Sequence, residues 1–387
     1  FSTDTTITKF GTQETNNFLI NNGVYNSTKL KNGNFLFCTR LGGVAEIDNR
    51  GNLVRIIDKE NDLLDNSISN VCEDSNNNLW LTSGLGIAYV ETSSPLTYFP
   101  LNEGLAGIIT TISILEKKIF VGTTEALFYL DENKKFQKIL GYELHNWAIE
   151  KVSVNNEEKI LVAHSLGLFE LKNNKFQNIA LNNILCYTVY KSNFFKDRIY
   201  VGTNVGLFTV TYENNKWETK YLDKFKSSVR WIVEDENKDI WFSTDFEGII
   251  RVNIDNSEII SNAKIENYDT LDGLPNMMEC KLIIYNKKLI AATSNCIYSY
   301  DKISNKFISD SIFGKKYSDS QRDIYLFLFD SLNRNLWFSP RSNKYYSISF
   351  IKSTENKKND ISIPFLRLPN TLITCIYPYD ESSLLIG

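Results

Sequence analysis

The sequence lacks the residue types and spacings of the common catalytic and metal centres. Only two histidines occur in 387 residues, His145 and His164, and there is no HExxH pair and no Asp-rich calcium loop. Gly-x-Ser-x-Gly and Walker-type loops are also missing. The six cysteines are widely spaced without a CxxC pair, which predicts small buried hydrophobic residues instead of zinc ligands or a disulfide framework. We therefore expect no metal site and no cofactor.

Charge and hydropathy exclude further classes of protein. The formal net charge is −4, so the chain has no basic field of the kind that attracts nucleic acid. No apolar run approaches the roughly 18 residues that a membrane-spanning helix needs. At 42% hydrophobic residues, the chain has enough apolar surface to offset the entropy of ordering, so it is not intrinsically disordered.

The sequence does contain a repeat made of strand-forming residues, among them 24 Phe and 20 Tyr. A clear copy is Ile199-Tyr200-Val201-Gly202-Thr203, followed after a short turn by Gly206-Leu207-Phe208. The fifth position of the copies recurs every 39 to 49 residues, at Thr39, Ser83, Thr123, His164, Thr203, Thr244, Thr293 and Pro340. Two tryptophans, Trp80 and Trp241, share one register of the repeat, and we expect both in the core.

A period of this length made of short strands predicts the blades of a β-propeller. Acidic pairs followed by Asn-rich turns, such as Glu73-Asp74 and Glu234-Asp235, suit tight hairpins between the strands. We predict an all-β fold over residues 1–387, with about nine units of four antiparallel strands. Residues 1–10 and 371–387 are expected to share one blade that closes a single ring, unless the chain is a segment of a longer array.

Two units carry a resemblance to a known family. Residues 71–87 (Val-Cys-Glu-Asp, then Asn-Leu-Trp-Leu-Thr and Gly-Ile) and residues 233–249 resemble the two-component regulator propeller repeat. Residues 272–276, Asp-Gly-Leu-Pro-Asn, are similar to the connector with which the family begins a blade. Three units depart from the pattern, since Pro340 with Lys344, His164 and Cys296 replace its usual Thr or Gly.

The resemblance implies a non-catalytic sensor region of a membrane-bound bacterial signalling protein, located in the periplasm or outside the cell. In that family, a small β-sandwich, a transmembrane helix and a cytoplasmic output domain follow the propellers. The family often has two seven-bladed rings, so the alternative to a single ring is one seven-bladed ring plus part of a second.

The candidate ligand site follows from how a propeller is connected. Loops between the second and third strands lie on the same face as the connectors between blades, and this face is the default binding face. The side chains predicted there are Arg40, His145, Trp147, His164, Arg230, Trp231, Asp245, Arg322 and Arg341.

Two interpretations of these residues stay open. His145, Trp147 and His164 form a polar-aromatic pocket, or His164 only replaces Thr as a hydrogen-bonding residue of its turn. The arginines hold a carboxylate or sulfate, or they are solvated surface charges. The first interpretation predicts an oligosaccharide or another small polar ligand.

Two other functions compete with ligand sensing. A secreted lyase or glycoside hydrolase would need paired carboxylates, and Asp245 with Glu247 are the nearest such pair. An interaction scaffold, including a homodimer, would use the exposed faces of the propeller and no small ligand.

Overall fold

A computed structural model describes residues 10–61, 63–92, 99, 104–115, 117–155, 157–222, 225–253, 263–278, 280–294, 296–312, 314–318, 323–330, 335–341, 348–352, 373–380 and 383–387. The chain divides into two compact units, Phe1–Tyr98 (unit 1) and Phe99–Gly387 (unit 2). Within the described residues, no helix is both long and apolar enough to cross a membrane.

The described residues of unit 1 form one α-helix and two antiparallel sheets. Helix α1 (Gln13–Asn22) begins at the N-cap Thr12, whose side chain accepts a hydrogen bond from the backbone N–H of Thr15. It precedes the first copy of the repeat, and the repeat pattern did not predict it. The first sheet consists of β1 (Val24–Lys29), β2 (Phe35–Thr39), β3 (Val44–Ile47) and β4 (Leu53–Ile57), and the second of β5 (Ile68–Glu73), β6 (Leu79–Ser83) and β7 (Gly86–Val90).

Unit 2 begins with five four-stranded antiparallel sheets, which we call blades A to E. Blade A has β8 (Ile109–Leu115), β9 (Lys118–Thr123), β10 (Leu127–Leu130) and β11 (Phe136–Lys138); blade B has β12 (Asn146–Val154), β13 (Glu157–His164), β14 (Gly167–Lys172) and β15 (Lys175–Ala180). Blade C has β16 (Cys186–Lys191), β17 (Arg198–Thr203), β18 (Leu207–Glu213) and β19 (Lys216–Tyr221). Blade D has β20 (Trp231–Glu234), β21 (Ile240–Ser243), β22 (Ile249–Asn253) and β23 (Lys264–Tyr268); blade E has β24 (Lys281–Tyr285), β25 (Lys288–Ala292), β26 (Ile297–Asp301) and β27 (Lys306–Ser309).

Two smaller sheets complete unit 2. Blade F shows β28 (Asp323–Asp330), β29 (Asn335–Arg341) and β30 (Ser349–Lys352), and blade G shows β31 (Ile376–Pro378) and β32 (Leu384–Ile386). Short 3-10 helices occur in unit 1 at Lys59–Asn61 and in unit 2 at Thr270–Asp272 and Lys315–Tyr317. The predicted architecture of four-stranded antiparallel blades is confirmed.

The seven sheets of unit 2 close into a ring. The first strand of each blade contacts the first strand of the next, in the order β8, β12, β16, β20, β24, β28 and β31, and β31 in turn contacts β8. At this closure, Cys375 packs with Ile112 and Phe128 of blade A, while Ile376 packs with Trp337 of blade F. Among the described residues the ring contains seven sheets, and the number of blades per ring stays a prediction.

Part of the predicted terminal blade lies outside the described residues. Residues 1–9, 371–372 and 381–382 are not among them, whereas Ile376–Pro378 and Leu384–Ile386 provide the two strands of blade G. The predicted pairing of the two ends of the chain therefore stays a prediction.

Apolar side chains fill the spaces between neighbouring blades. In one such cluster, Tyr200 and Leu207 of blade C pack with Ile232 and Phe242 of blade D. Five of the six cysteines are buried, as expected for small hydrophobic residues, and Cys72 is exposed. Burial in these clusters raises the pKa of the Cys186 thiol to about 12, so this group stays uncharged and unreactive.

The two members of an acidic pair have different structural roles. Asp74 and Asp235 close their own hairpins, because each carboxylate accepts the backbone N–H groups of the second and fourth residues that follow it. The preceding glutamates reach back to an earlier sheet. Glu73 accepts from the N–H of Lys31 at 2.8 Å, and Glu234 accepts from the N–H of Asn193 at 2.7 Å. We call these contacts carboxylate ties.

The two tryptophans that share a repeat register differ in burial. Trp241 is fully buried and donates from Nε1 to Asp235 at 3.0 Å. Trp80 has the same place in β6 but is 47% exposed, and it contacts Tyr89 on the same face of its sheet. The expectation that both are core residues is therefore correct for Trp241 and wrong for Trp80.

Candidate functional site

Four of the nine predicted side chains, with Tyr187, come together where the inner strands of blades B, C and D begin. His145 and Trp147 lie at the start of β12, Tyr187 at the start of β16, and Arg230 directly before β20. Asp245 lies in the loop between β21 and β22. We call these five residues the Arg230 cluster.

A β-bulge positions the aromatic residues of the cluster. The pairing of β12 with β13 shifts between Asn146 and Ala148, so Trp147 is the unpaired extra residue. The pairing of β16 with β17 shifts in the same way between Cys186 and Thr188, which leaves Tyr187 unpaired. A bulge turns a side chain away from its regular strand direction, and bulges of this kind are common beside functional sites.

Arg230 is held from two sides. Its Nε donates to Asp245 Oδ1 at 2.7 Å and its Nη2 donates to Oδ2 at 3.1 Å, which is the bidentate geometry of an arginine–carboxylate pair. The guanidinium carbon lies 3.6 Å from the ring centre of Tyr187 and 5.4 Å from that of Trp147. Among the described residues Nη1 donates no hydrogen bond, so this nitrogen can donate to a ligand.

His145 stacks on Trp147. The two ring centres are 3.7 Å apart with an angle of 15° between the planes, and Tyr187 meets the indole edge-on at 5.0 Å. His145 Nε2 and Trp147 Nε1 are both buried without a hydrogen-bond partner in the described part of the chain. A buried polar atom without a partner costs free energy, and a ligand that supplies the partner recovers that cost.

The charges of the cluster are defined by these contacts. Partial burial acts to raise the pKa of Asp245, but hydrogen bonds from Arg230 and Ser228 outweigh it and keep the pKa below its usual range. Desolvation, and secondarily the charge of Arg230, lowers the pKa of His145. At neutral pH the cluster therefore contains an ionised Asp245, a charged Arg230 and a neutral His145.

His164 pairs with Asn146 across β12 and β13, and its ring lies in an aromatic cluster with Tyr142, Phe169 and Phe176. It is fully buried, and its Nδ1 accepts a hydrogen bond from the N–H of Leu166 at 3.0 Å. Desolvation lowers its pKa to about 4, so it is neutral at pH 7. This geometry is that of a hydrogen-bonding residue of a turn, and the structure does not bring His164 into the Arg230 cluster.

The remaining candidates are dispersed. Trp231 begins β20 and packs against the apolar cluster of blades D and E. In unit 1, the guanidinium carbon of Arg40 lies 4.8 Å from the ring centre of Tyr25, an arrangement like that of Arg230 and Tyr187. Arg341 ends β29, and Arg322 lies outside the described residues.

Tyr187 is the residue of the Arg230 cluster that the sequence pattern did not predict. Its signal is positional, because an aromatic residue follows the first residue of the inner strand in both β12 and β16. Where the chain is described, no group of three or more His, Cys, Asp or Glu side chains is placed to hold a metal ion.

The comparisons with known proteins agree with this architecture. Residues 62–84, which include β5 and β6, match the sequence model of the family described as two component regulator propeller, so the resemblance is confirmed on this repeat. A search of curated proteins found no match to the chain.

Solved structures with the same fold come from B. thetaiotaomicron. One is the extracellular domain of a protein named as hybrid two component system BT3049, with a TM-score of 0.63 and 18% identity over 84% of this chain and 45% of that one. Another is the extracellular domain of BT4673, also named as a hybrid two component system, with a TM-score of 0.59 and 15% identity over 95% and 52%. The chain thus shares the propeller fold of these domains and spans about half of their length.

Proposed function

We propose that residues 1–387 are the propeller sensor region of a bacterial signal-transduction protein, located in the periplasm or outside the cell. Support comes from the matched repeat and from the two extracellular domains that share the fold. A β-sandwich and a membrane-anchored output domain would follow in the full protein, and catalysis would belong to that output domain.

We further propose that the Arg230 cluster binds a carbohydrate-like ligand. The observation that supports this best is Arg230 Nη1, which makes no hydrogen bond within the described residues, whereas Asp245 holds the other two guanidinium nitrogens and Tyr187 covers the face of the group. An oriented donor beside aromatic rings suits the hydroxyl or carboxylate oxygens of a sugar.

Titration calorimetry with xylohexaose, tetragalacturonate and a chondroitin tetrasaccharide tests the ligand. Trp147→Ala is expected to weaken binding of whichever fragment binds by about 10-fold or more, since it removes the aromatic contact surface and one wall of the Arg230 cluster. Phe194→Ala is the matched control, because Phe194 is an exposed aromatic residue just beyond the opposite end of β16. Equal affinity of both variants would contradict the placement of the site.

The geometry favours binding over hydrolysis. Both oxygens of Asp245 accept hydrogen bonds from Arg230, so this carboxylate orients the guanidinium and is not available as an unpaired acid or nucleophile. Depolymerisation of a glycan that disappears in Asp245→Asn would overturn the proposal of a non-catalytic region.

A second candidate function is self-association, which one observation favours. Large apolar side chains are exposed on loops and connectors of unit 2, namely Leu144, Val205, Phe246, Met277 and Met278. Leu144 and Phe246 directly neighbour His145 and Asp245 in the sequence. Exposed Met and Phe side chains beside Trp, Tyr and Arg have the composition of a protein interface.

Phe246→Glu tests this candidate. Phe246 is 65% exposed, and a charge in the centre of an apolar interface would convert a dimer into a monomer in sedimentation velocity runs. The control is Ile303→Glu, at a residue that is 97% exposed in the turn between β26 and β27. A wild-type protein that is monomeric at all concentrations would rule out the interface.

A further inference from the structure

His145 occupies the place where a ring of the ligand would stack on Trp147. Its imidazole lies nearly parallel to the indole at 3.7 Å, which is the contact distance of stacked planar groups. Tyr187 blocks the edge of the indole and the Arg230 guanidinium lies over the ring at 5.4 Å. A sugar ring that uses this surface of Trp147 therefore has to take the place of the imidazole.

The backbone around His145 is anchored, whereas its side chain is not. The carbonyl oxygen of His145 accepts hydrogen bonds from the backbone N–H of Ser165 at 3.1 Å and from its Oγ at 3.3 Å. Among the described residues, His145 Nε2 is buried without a partner. In the stacked position the imidazole therefore lacks a hydrogen bond that water would supply. Rotation of the side chain alone releases the ring and restores that hydrogen bond.

We propose that the His145 imidazole covers the surface of Trp147 on which a saccharide ring stacks, and that the saccharide binds by displacing the imidazole. The proposal rests on the proposed function of the Arg230 cluster. His145 is then a gating residue that lowers the affinity for every ring ligand, and the affinity rises when the imidazole is removed.

His145→Ala is expected to bind the same glycan fragments more tightly than wild type. If the stacked position is occupied about nine-tenths of the time, its removal raises the apparent affinity about tenfold. His145→Phe keeps a stacked ring but has no polar atom that gains from release to water, so it is expected to bind more weakly than wild type. The two substitutions thus move affinity in opposite directions, whereas loss of a direct ligand contact would weaken binding in both.

The sparse histidine content gives a second readout. Because the chain has only His145 and His164, selective labelling yields two imidazole signals in NMR spectra. Binding of a fragment is expected to remove the ring-current shift of His145 and to bring its lowered pKa back towards 6.5, since the displaced ring regains solvent. The His164 ring packs against Phe169 and Phe176, so its signal at pH 7 is expected to keep its position and serves as an internal control.

The outcomes separate the two proposals. Two results would overturn the displacement but not the ligand site. One is an affinity for His145→Ala that equals or falls below that of wild type. The other is a His145 signal that stays shifted at saturation. If none of the three fragments binds either wild type or His145→Ala, both proposals fall. Binding that is seen only with His145→Ala supports both.

Discussion

Ile376→Asp is expected to lower the free energy of unfolding of unit 2 by about 4 kcal/mol, because it places a charge in the apolar contact that closes the ring. Ile376 is buried on β31 against Trp337, Ile348 and Ile373. It belongs to the strand that contacts both β28 and β8, so the substitution affects the junction of the first and last blades. The shift of the urea unfolding midpoint, followed by circular dichroism, measures the effect.

Tyr379→Asp is the matched control for this closure. Tyr379 lies between β31 and β32 but is half exposed, and exposed substitutions change stability by about 0.5 kcal/mol or less. Equal shifts of the midpoint for the two variants would show that blade G does not close the ring.

The second large effect is expected for Trp241→Ala, with a loss of about 3–5 kcal/mol in the free energy of unfolding. Trp241 is fully buried, and its ring centre lies 4.8 Å from that of Tyr300 in the next blade and 5.3 Å from that of Tyr268. The substitution leaves a cavity between blades D and E and removes the donor to Asp235.

Trp80→Ala compares the same repeat position in a different environment. Trp80 is half exposed, so its removal is expected to cost about 1 kcal/mol or less. Similar losses for the two tryptophans in parallel urea titrations would contradict the difference in burial between them.

The comparison of the two tryptophans shows what a repeat can predict. Strand positions follow from local patterns, and the predicted strand at residues 199–203 is found as β17, Arg198–Thr203. Burial of a side chain also depends on what covers the sheet. Trp241 is covered by Tyr300 and Phe307 of the following blade, and a motif within one unit contains no information about such neighbours.

The candidate site was predictable to a similar extent. The connectivity of a propeller places the connectors and the loops between second and third strands on one face, and this rule selected His145, Trp147, Arg230 and Asp245 without knowledge of their contacts. The same rule did not exclude His164 from the candidate site, because the sequence pattern does not show that its ring packs into the aromatic cluster around Phe169. Tyr187 was missed because a β-bulge is not visible in the alternation of apolar and polar residues.

The carboxylate ties constrain how the length of such a chain can change in evolution. Glu73 accepts from a backbone N–H that lies 42 residues earlier in the chain, and Glu234 from one that lies 41 residues earlier. Both separations are about one period of the repeat. A gene duplication or deletion of one whole period therefore recreates the same hydrogen bond at the new junction. An insertion of any other length separates the carboxylate from its donor, so gain or loss of complete blades is the change in length that this architecture tolerates best.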